Sequence, residues 1–191
     1  KVSAAPFHVW TPDVYEGAPT PVTAFMASAG KVAAFAALLR ILMVGLEQRA
    51  DDWRPVVWAL AMLTVFTGSI LAVVQTNVKR MLAYSSISHA GFILVGVEAA
   101  GQMSGDGIAT SMNYLVIYTV LVMGSFAIVL AMSGNTDGET NLSDFKGLAK
   151  RRPALALAFT VLLFAQAGVP LTAGFVAKFA VIKSSVEANS Y

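Results

Sequence analysis

The sequence predicts an all-α integral membrane protein: a bundle of about five full transmembrane helices plus a partial first one, with broken helices near Pro6 and Pro170. Three observations carry this expectation. The 191 residues are 57% hydrophobic and 13% charged, with a mean hydropathy of +0.68, whereas soluble domains carry about 25% charged residues. The apolar stretches run for about 20 residues or more, enough as helices to cross the ~30 Å hydrocarbon core of a bilayer. They also lack the alternation in segments of about ten residues that a membrane β-barrel needs, and lipid admits only helices or closed barrels.

In order along the chain, residues 1–10 read as the end of a helix interrupted by Pro6. Residues 11–21, TPDVYEGAPTP, hold Pro12, Pro19, Pro21 and Gly17 and read as a rigid turn. Thr20 suits the N-cap of the next helix, with Pro21 at its first position. That helix is expected over 21–46 and would be about 39 Å long. Residues 47–54, EQRADDWR, form a charged loop, and further spans follow at 56–75, 81–99 and 108–132. The turn TNVKR at 76–80, the polar loop GQMSGDG at 101–107 and a longer polar loop at 133–153 join them. Within the last loop, LSDFKGLAKRRP suits a short surface helix capped by Ser143. The final span, 154–182, is interrupted by GVPLTAG at 168–174. The whole chain is expected to form one membrane domain, an internal section of a longer protein: it opens in mid-pattern, without Met and without a signal peptide.

Basic residues set the expected orientation. The loops at 76–80 and 133–153 lie two spans apart and carry Lys79, Arg80, Lys146, Lys150, Arg151 and Arg152. The opposite loops carry Arg49 and Arg54. The positive-inside rule puts the first set, and with it the turn at 11–21, in the cytoplasm. The net charge of +2 says little of partners. The absence of cysteine excludes disulfides, thiolate metal sites and a cysteine nucleophile. There is no Gly-rich nucleotide fingerprint, so no redox cofactor is expected on this chain. Neither is a metal or a nucleic-acid partner.

The candidate functional residues are ionisable groups inside the spans: Lys31, His89 and Lys178, with Lys1 beside the Pro6 break. A lysine at the centre of a membrane helix costs roughly 2.5–3.5 kcal/mol on insertion scales, and such residues usually mark ion or proton paths. The central parts of the spans hold no Asp or Glu, and Glu98 reads as a helix-end residue. Either the lysines spend part of their time neutral, or their acid partners lie outside this chain. Both suit proton relay. The competing readings are a carbonyl-bonded packing lysine at 31, a water-facing lysine at 178 and a structural histidine at 89. Arg40 and Lys183 read as snorkelling residues, and Asp13 and Glu16 as caps or turn partners. The break at 168–174 is the second signal, because unwound backbone at membrane depth needs a protein interior or a water-filled cavity, and transporters place such breaks at ion sites.

Four motifs carry a family resemblance: TPDVYEGAPTPV (11–22), SAGKVAAF (28–35), QTNVKRMLAYSSISHAGF (75–92) and AGVPLTAGFVAKF (167–179). Together they resemble the antiporter-like membrane subunits of proton-translocating NADH–quinone oxidoreductase, complex I, and most of all subunit N. The relatives L and M typically carry histidine at the position of Ala27, in a run that is absent here. The resemblance implies a fold of about fourteen transmembrane helices in two inverted repeats, of which this chain covers the end of the seventh through the twelfth. It implies proton-path roles for Lys1, Lys31 and Lys178, with His89 connecting them and an essential glutamate upstream of Lys1. It also implies that NADH, FMN, Fe–S clusters and quinone belong to other subunits, and that the partners are membrane subunits and the lipid bilayer. A related cation/proton antiporter or membrane-bound hydrogenase subunit is the alternative. A non-transporting structural subunit is another.

Overall fold

The computed structural model describes residues 1–102, 106–134 and 140–188, so parts of the loops at 101–107 and 133–153 lie outside the described residues. The described residues are helical throughout the membrane-length stretches and form no strand. Four helical runs are long and apolar enough to cross a membrane: Thr20–Gly45, Glu47–Val73, Val78–Ala100 and Asp106–Ser133. A fifth stretch is divided between two fifteen-residue helices.

The first region differs from expectation. Residues 1–9 carry no helix; α1 spans Trp10–Gly17, within the segment read as a rigid turn. Pro12 is the third residue of α1, where its missing N–H has no helical partner to lose, so it opens a helix and does not break one. Ahead of it, Ser3 has a left-handed φ of 64° that no helix accepts, and the Thr11 hydroxyl donates to Ser3 Oγ at 3.0 Å.

The next run begins at Thr20 with Pro19 at the cap and Pro21 in its first turn, so Thr20 is already helical. It comprises α2 (Thr20–Phe25), a π-helical turn over Met26–Gly30, α3 (Lys31–Arg40) and a second π turn over Ile41–Gly45. The first π turn ends immediately before Lys31. π-turns inside α-helices frequently mark functional sites, because the extra residue shifts the register of the side chains that follow.

The charged stretch at 47–54 is helical as well. A 3₁₀ turn over Glu47–Arg49 leads into α4 (Ala50–Val73), with Asp51 and Asp52 in its first turn. Acidic side chains there complement the positive end of the helix dipole, which is why the helix starts ahead of Pro55 and not after it. The Asn77 side chain accepts from Arg80 N at 3.2 Å and caps α5 (Val78–Ala100). The antiparallel α6 (Asp106–Ser133) follows. The basic loop is pinned to the start of α5 by Val78 N–H donating to Thr140 O (2.7 Å) and Leu142 N–H to Thr76 O (2.8 Å). The cap of its short 3₁₀ turn (Leu142–Phe145) is Asn141, not Ser143, because Asn141 and Asp144 satisfy each other's backbone N–H reciprocally. The one-turn helix α7 (Leu148–Arg151) comes next.

Helix α5 is the most deeply buried of the membrane-length helices. It packs tightly on α4, where a Cβ at Gly68 would overlap the Ser88 backbone and one at Gly91 would overlap Val65. On its other sides lie α1, α6 and α9 (Ala173–Glu187). Large apolar side chains such as Phe66, Ile70, Val116 and Val120 are exposed on the outside of the bundle. A lipid or a neighbouring membrane subunit suits that surface; water does not.

Candidate functional site

The last span is interrupted where the sequence predicts. Helix α8 (Pro153–Ala167) ends at Gly168, and α9 begins with Thr172 as its N-cap. Gly168 has φ +84°, and Gly168 N–H and Val169 N–H both reach back to Phe164 O at 3.0 Å. This is a Schellman-type ending, which favours glycine at the left-handed position. The carbonyls of Gln166 and Ala167 are left over, and Lys178 Nζ donates to both, at 2.9 and 3.0 Å. The ammonium thus sits on the negative end of the α8 dipole, 4.8 Å from the centre of the Phe92 ring. A Cβ at Gly168 would meet Lys178 Cδ at 2.9 Å. Gly168→Val is therefore expected to destabilise the protein by about 1–3 kcal/mol through backbone strain and to displace Lys178. The thermal unfolding midpoint of the purified protein checks it, and an unchanged midpoint counts against this account of the break.

Lys31 is 1% exposed, and its Nζ donates to the main-chain oxygen of Ser86 on α5. The same Nζ lies 5.6 Å from the centre of the Tyr118 ring. Ser86 is a hub: its hydroxyl is 2.7 Å from Tyr118 OH, and the Tyr15 phenol of α1 also hydrogen-bonds to it. Burial pushes the Tyr15 phenol up to about 12, and the bond with Ser86 works in the other direction. One helical turn further along α5, His89 Nδ1 lies 2.7 Å from Tyr114 OH, and its ring packs on Tyr118 with centroids 5.2 Å apart. The five polar groups of Lys31, Ser86, Tyr118, His89 and Tyr114 thus form one buried cluster.

His89 and Lys178 line one cavity of about 390 Å³, whose walls include Ser69, Ser85, Ser88 and Gln166. Gln166 donates to Ser125 Oγ at 2.6 Å and accepts from Ser85 Oγ at 3.3 Å. A cavity of that size with several polar partners is roomy enough for several waters. A larger cavity of about 580 Å³, lined in part by Trp53, Arg54 and Gly101, lies at the start of α4 and contains none of the predicted residues.

The structure brings Lys31, His89 and Lys178 toward one another. It does not bring Lys1 there: Lys1 is exposed and makes none of these contacts. Asp13 and Glu16 are the ion partners of Arg80, at 2.7 and 2.8 Å. Glu98 lies in the last turn of α5, the helix-end position expected, and is enclosed there: it is 3% exposed and paired with Arg54 at 2.8 Å. Sequence reasoning missed Tyr114, Tyr118 and Gln166. Their signal was available: polar groups inside apolar spans must find partners, and Tyr114 and Tyr118 stand four residues apart on one helix face.

The family described as NADH:quinone oxidoreductase/Mrp antiporter, transmembrane, matches residues 1–191. The chain belongs to that family. The relatives include NADH-quinone oxidoreductase subunit N 3 of Streptomyces griseus, 54% identical over 190 residues, and subunit N of Mycobacterium bovis, 51% identical over 195. Each match covers 100% of this chain and, respectively, 34% and 36% of the relative. The chain therefore spans about a third of the length of the curated relatives it matches. Among solved structures, respiratory complex I from Thermus thermophilus with bound aureothin contains a similar chain: TM-score 0.84, 36% identity, 100% of this chain and 40% of that one. The Mrp complex from Dietzia has another: TM-score 0.89, 27% identity, 99% and 34% coverage. Membership in this family and the membrane-length helices make the chain an integral membrane protein.

Proposed function

We propose that this chain is the proton-translocating section of a membrane subunit of an NADH:quinone oxidoreductase, akin to subunit N. The observation that carries this reading is the buried cluster of Lys31, Ser86, Tyr118, His89 and Tyr114, followed by the polar cavity that His89 shares with Lys178. Lys31 holds a proton at Nζ. The Ser86 and Tyr118 hydroxyls both donate and accept, so a hop through them moves charge without changing either group. His89 offers an imidazole nitrogen that takes up and releases a proton, and cavity water carries it to Lys178. Lys1 serves the side of the path that continues outside this chain.

On this reading quinone reduction elsewhere in the complex drives the step electrostatically. NADH, FMN, Fe–S clusters and quinone are held by other subunits, and this chain carries no redox centre. Its partners are other membrane subunits and the lipid bilayer of the bacterial plasma membrane. The loops at 11–21, 76–80 and 133–153 face the cytoplasm, following the bias of Lys and Arg.

Lys178→Met in the full-length subunit tests the reading. Methionine keeps the apolar length of the side chain and removes the ammonium. Protons pumped per NADH are expected to fall at least roughly threefold, general acid–base steps being worth more than that, in a complex that still assembles on a native gel. Normal pumping overturns the assignment of Lys178 to the path. A second reading, a subunit of a cation/proton antiporter, is favoured by the higher TM-score to the Mrp chain, whereas the higher identity favours the first. Sodium-dependent pumping selects the second.

A further inference from the structure

We propose that α1 is a gate over the approach to Lys31 from the basic end of the bundle, held shut by Arg80 and Lys79 and closed by the Tyr15 side chain. The proposal rests on the proton-path reading above and adds a control element to it.

The C-terminal half of α1 is gripped by the first turn of α5. Arg80 Nη1 donates to Asp13 Oδ1 at 2.7 Å and to Glu16 Oε2 at 2.8 Å. Lys79 is 3% exposed, and its Nζ donates at 2.7 Å to the main-chain oxygen of Ala18, the residue that ends α1. A cation there complements the negative end of the helix dipole. Asp13 and Glu16 stand three residues apart and share one face of α1. Tyr15 lies on a different face of α1, turned to the interior. It is 1% exposed, its ring stands edge-on to Phe126 with centroids 6.2 Å apart, and its phenol bonds to Ser86.

Ser86 is six residues beyond Arg80, about 9 Å along the axis of α5. The Tyr15 side chain thus bridges the depth between the charged surface and the residue that holds Lys31. Water moving from the basic end toward Ser86 meets that ring. The grip is built to be reversible: Asp13 is 70% exposed and Arg80 33% exposed. Ion pairs of such exposure are weak, while the phenol beneath them is fully enclosed. Beyond Gly17 the chain is extended at Ala18 before α2 begins, and the Thr23 hydroxyl of α2 donates to Tyr15 O at 3.2 Å, so a pivot of α1 leaves α2 wound but breaks that bond. Opening moves Tyr15 off Ser86 and exposes Lys31 to water from that side, and closing restores the seal. α1 is a positioning element, and no atom of it need carry the proton.

The test uses the full-length subunit in its assembled complex in membrane vesicles, with a pH-sensitive dye. The variants are Asp13→Asn/Glu16→Gln, Tyr15→Ala, Tyr15→Phe and Tyr15→Ala/Lys31→Met. Passive decay of an imposed proton gradient, with electron transfer blocked, is expected to speed up several-fold in the first two. Tyr15→Phe keeps the ring and is expected to stay tight. In Tyr15→Ala/Lys31→Met the leak is expected to return to the parent rate, because it runs through the lysine. Should Tyr15→Ala fail to assemble, the acid-pair variant decides, since its changes sit at the surface. Parent-rate decay in the assembled acid-pair or Tyr15→Ala variant overturns the gate, and so does a leak that survives Lys31→Met. Lys31→Met alone separates the two levels. If it stops pumping while the α1 variants stay tight, only the gate falls. If it pumps normally, the path falls and the gate with it.

Discussion

Lys31→Ala in the full-length subunit is expected to leave the complex assembled and NADH oxidation measurable while cutting proton pumping by roughly tenfold or more, the scale of a lost acid–base group. Two opposing terms decide the stability side. Removing a mid-membrane ammonium relieves an insertion cost of roughly 2.5–3.5 kcal/mol. Truncating a fully buried long side chain leaves a void, and comparable losses cost about 2–5 kcal/mol. The two are of the same size, so little net destabilisation is expected. Ser86 lies in the interior of α5, so its carbonyl keeps its helical donor when the lysine goes. Lys31→Met fills the void and is expected to assemble at least as well, with the same loss of pumping. Pumping, quinone reduction and native-gel assembly recorded on the same vesicles check this. Normal values of all three make Lys31 a tolerated buried cation and remove the central residue of the path.

The site was legible in the sequence where a residue type is expensive in lipid. Lys31, His89 and Lys178 stand out in apolar spans because each needs a compensating environment, and the structure supplies one for each: a main-chain oxygen, a phenol, a pair of helix-end carbonyls. The break at 168–172 was legible for the same reason, glycine and proline being poor helix interiors. The links between the lysines were not. Tyr118 and Tyr114 are amphipathic, and in sequence a tyrosine in an apolar helix resembles any other large core residue until its hydroxyl is placed. The role of α1 was hidden by Pro12, which read as a breaker. Pro12 falls in a first turn, where proline is tolerated, and this depends on a helix start that the sequence does not mark with a side-chain cap. Position 27 is a case in point for packing: Ala27 is 0% exposed, so the site is a crowded one in which a larger side chain would need room.

Arg54→Ala is the second large effect, and it acts on stability. The Glu98 side chain is 4% exposed, and Arg54 donates to its Oε1 from Nε at 3.0 Å and from Nη2 at 2.8 Å. Oε2 is buried with no hydrogen-bond partner among the described residues. Removing Arg54 leaves both oxygens of an enclosed carboxylate unpaired, which typically costs about 3–5 kcal/mol. Replacing both residues, Arg54→Leu with Glu98→Leu, is expected to bring stability back close to the parent value, because a buried pair seldom outperforms well-packed apolar groups. The unfolding midpoints of parent, single and double variants in detergent give the coupling directly, and a single variant as stable as the parent shows that water already compensates Glu98. The pair escaped sequence reasoning through a helix boundary. With α4 starting at 56, Arg54 belongs to a loop and has no fixed place opposite Glu98 at the end of its helix. With α4 starting at Ala50, Arg54 lies on its first turns, facing the last turn of α5, and the two charges close the end of the helix pair that packs most tightly in the bundle.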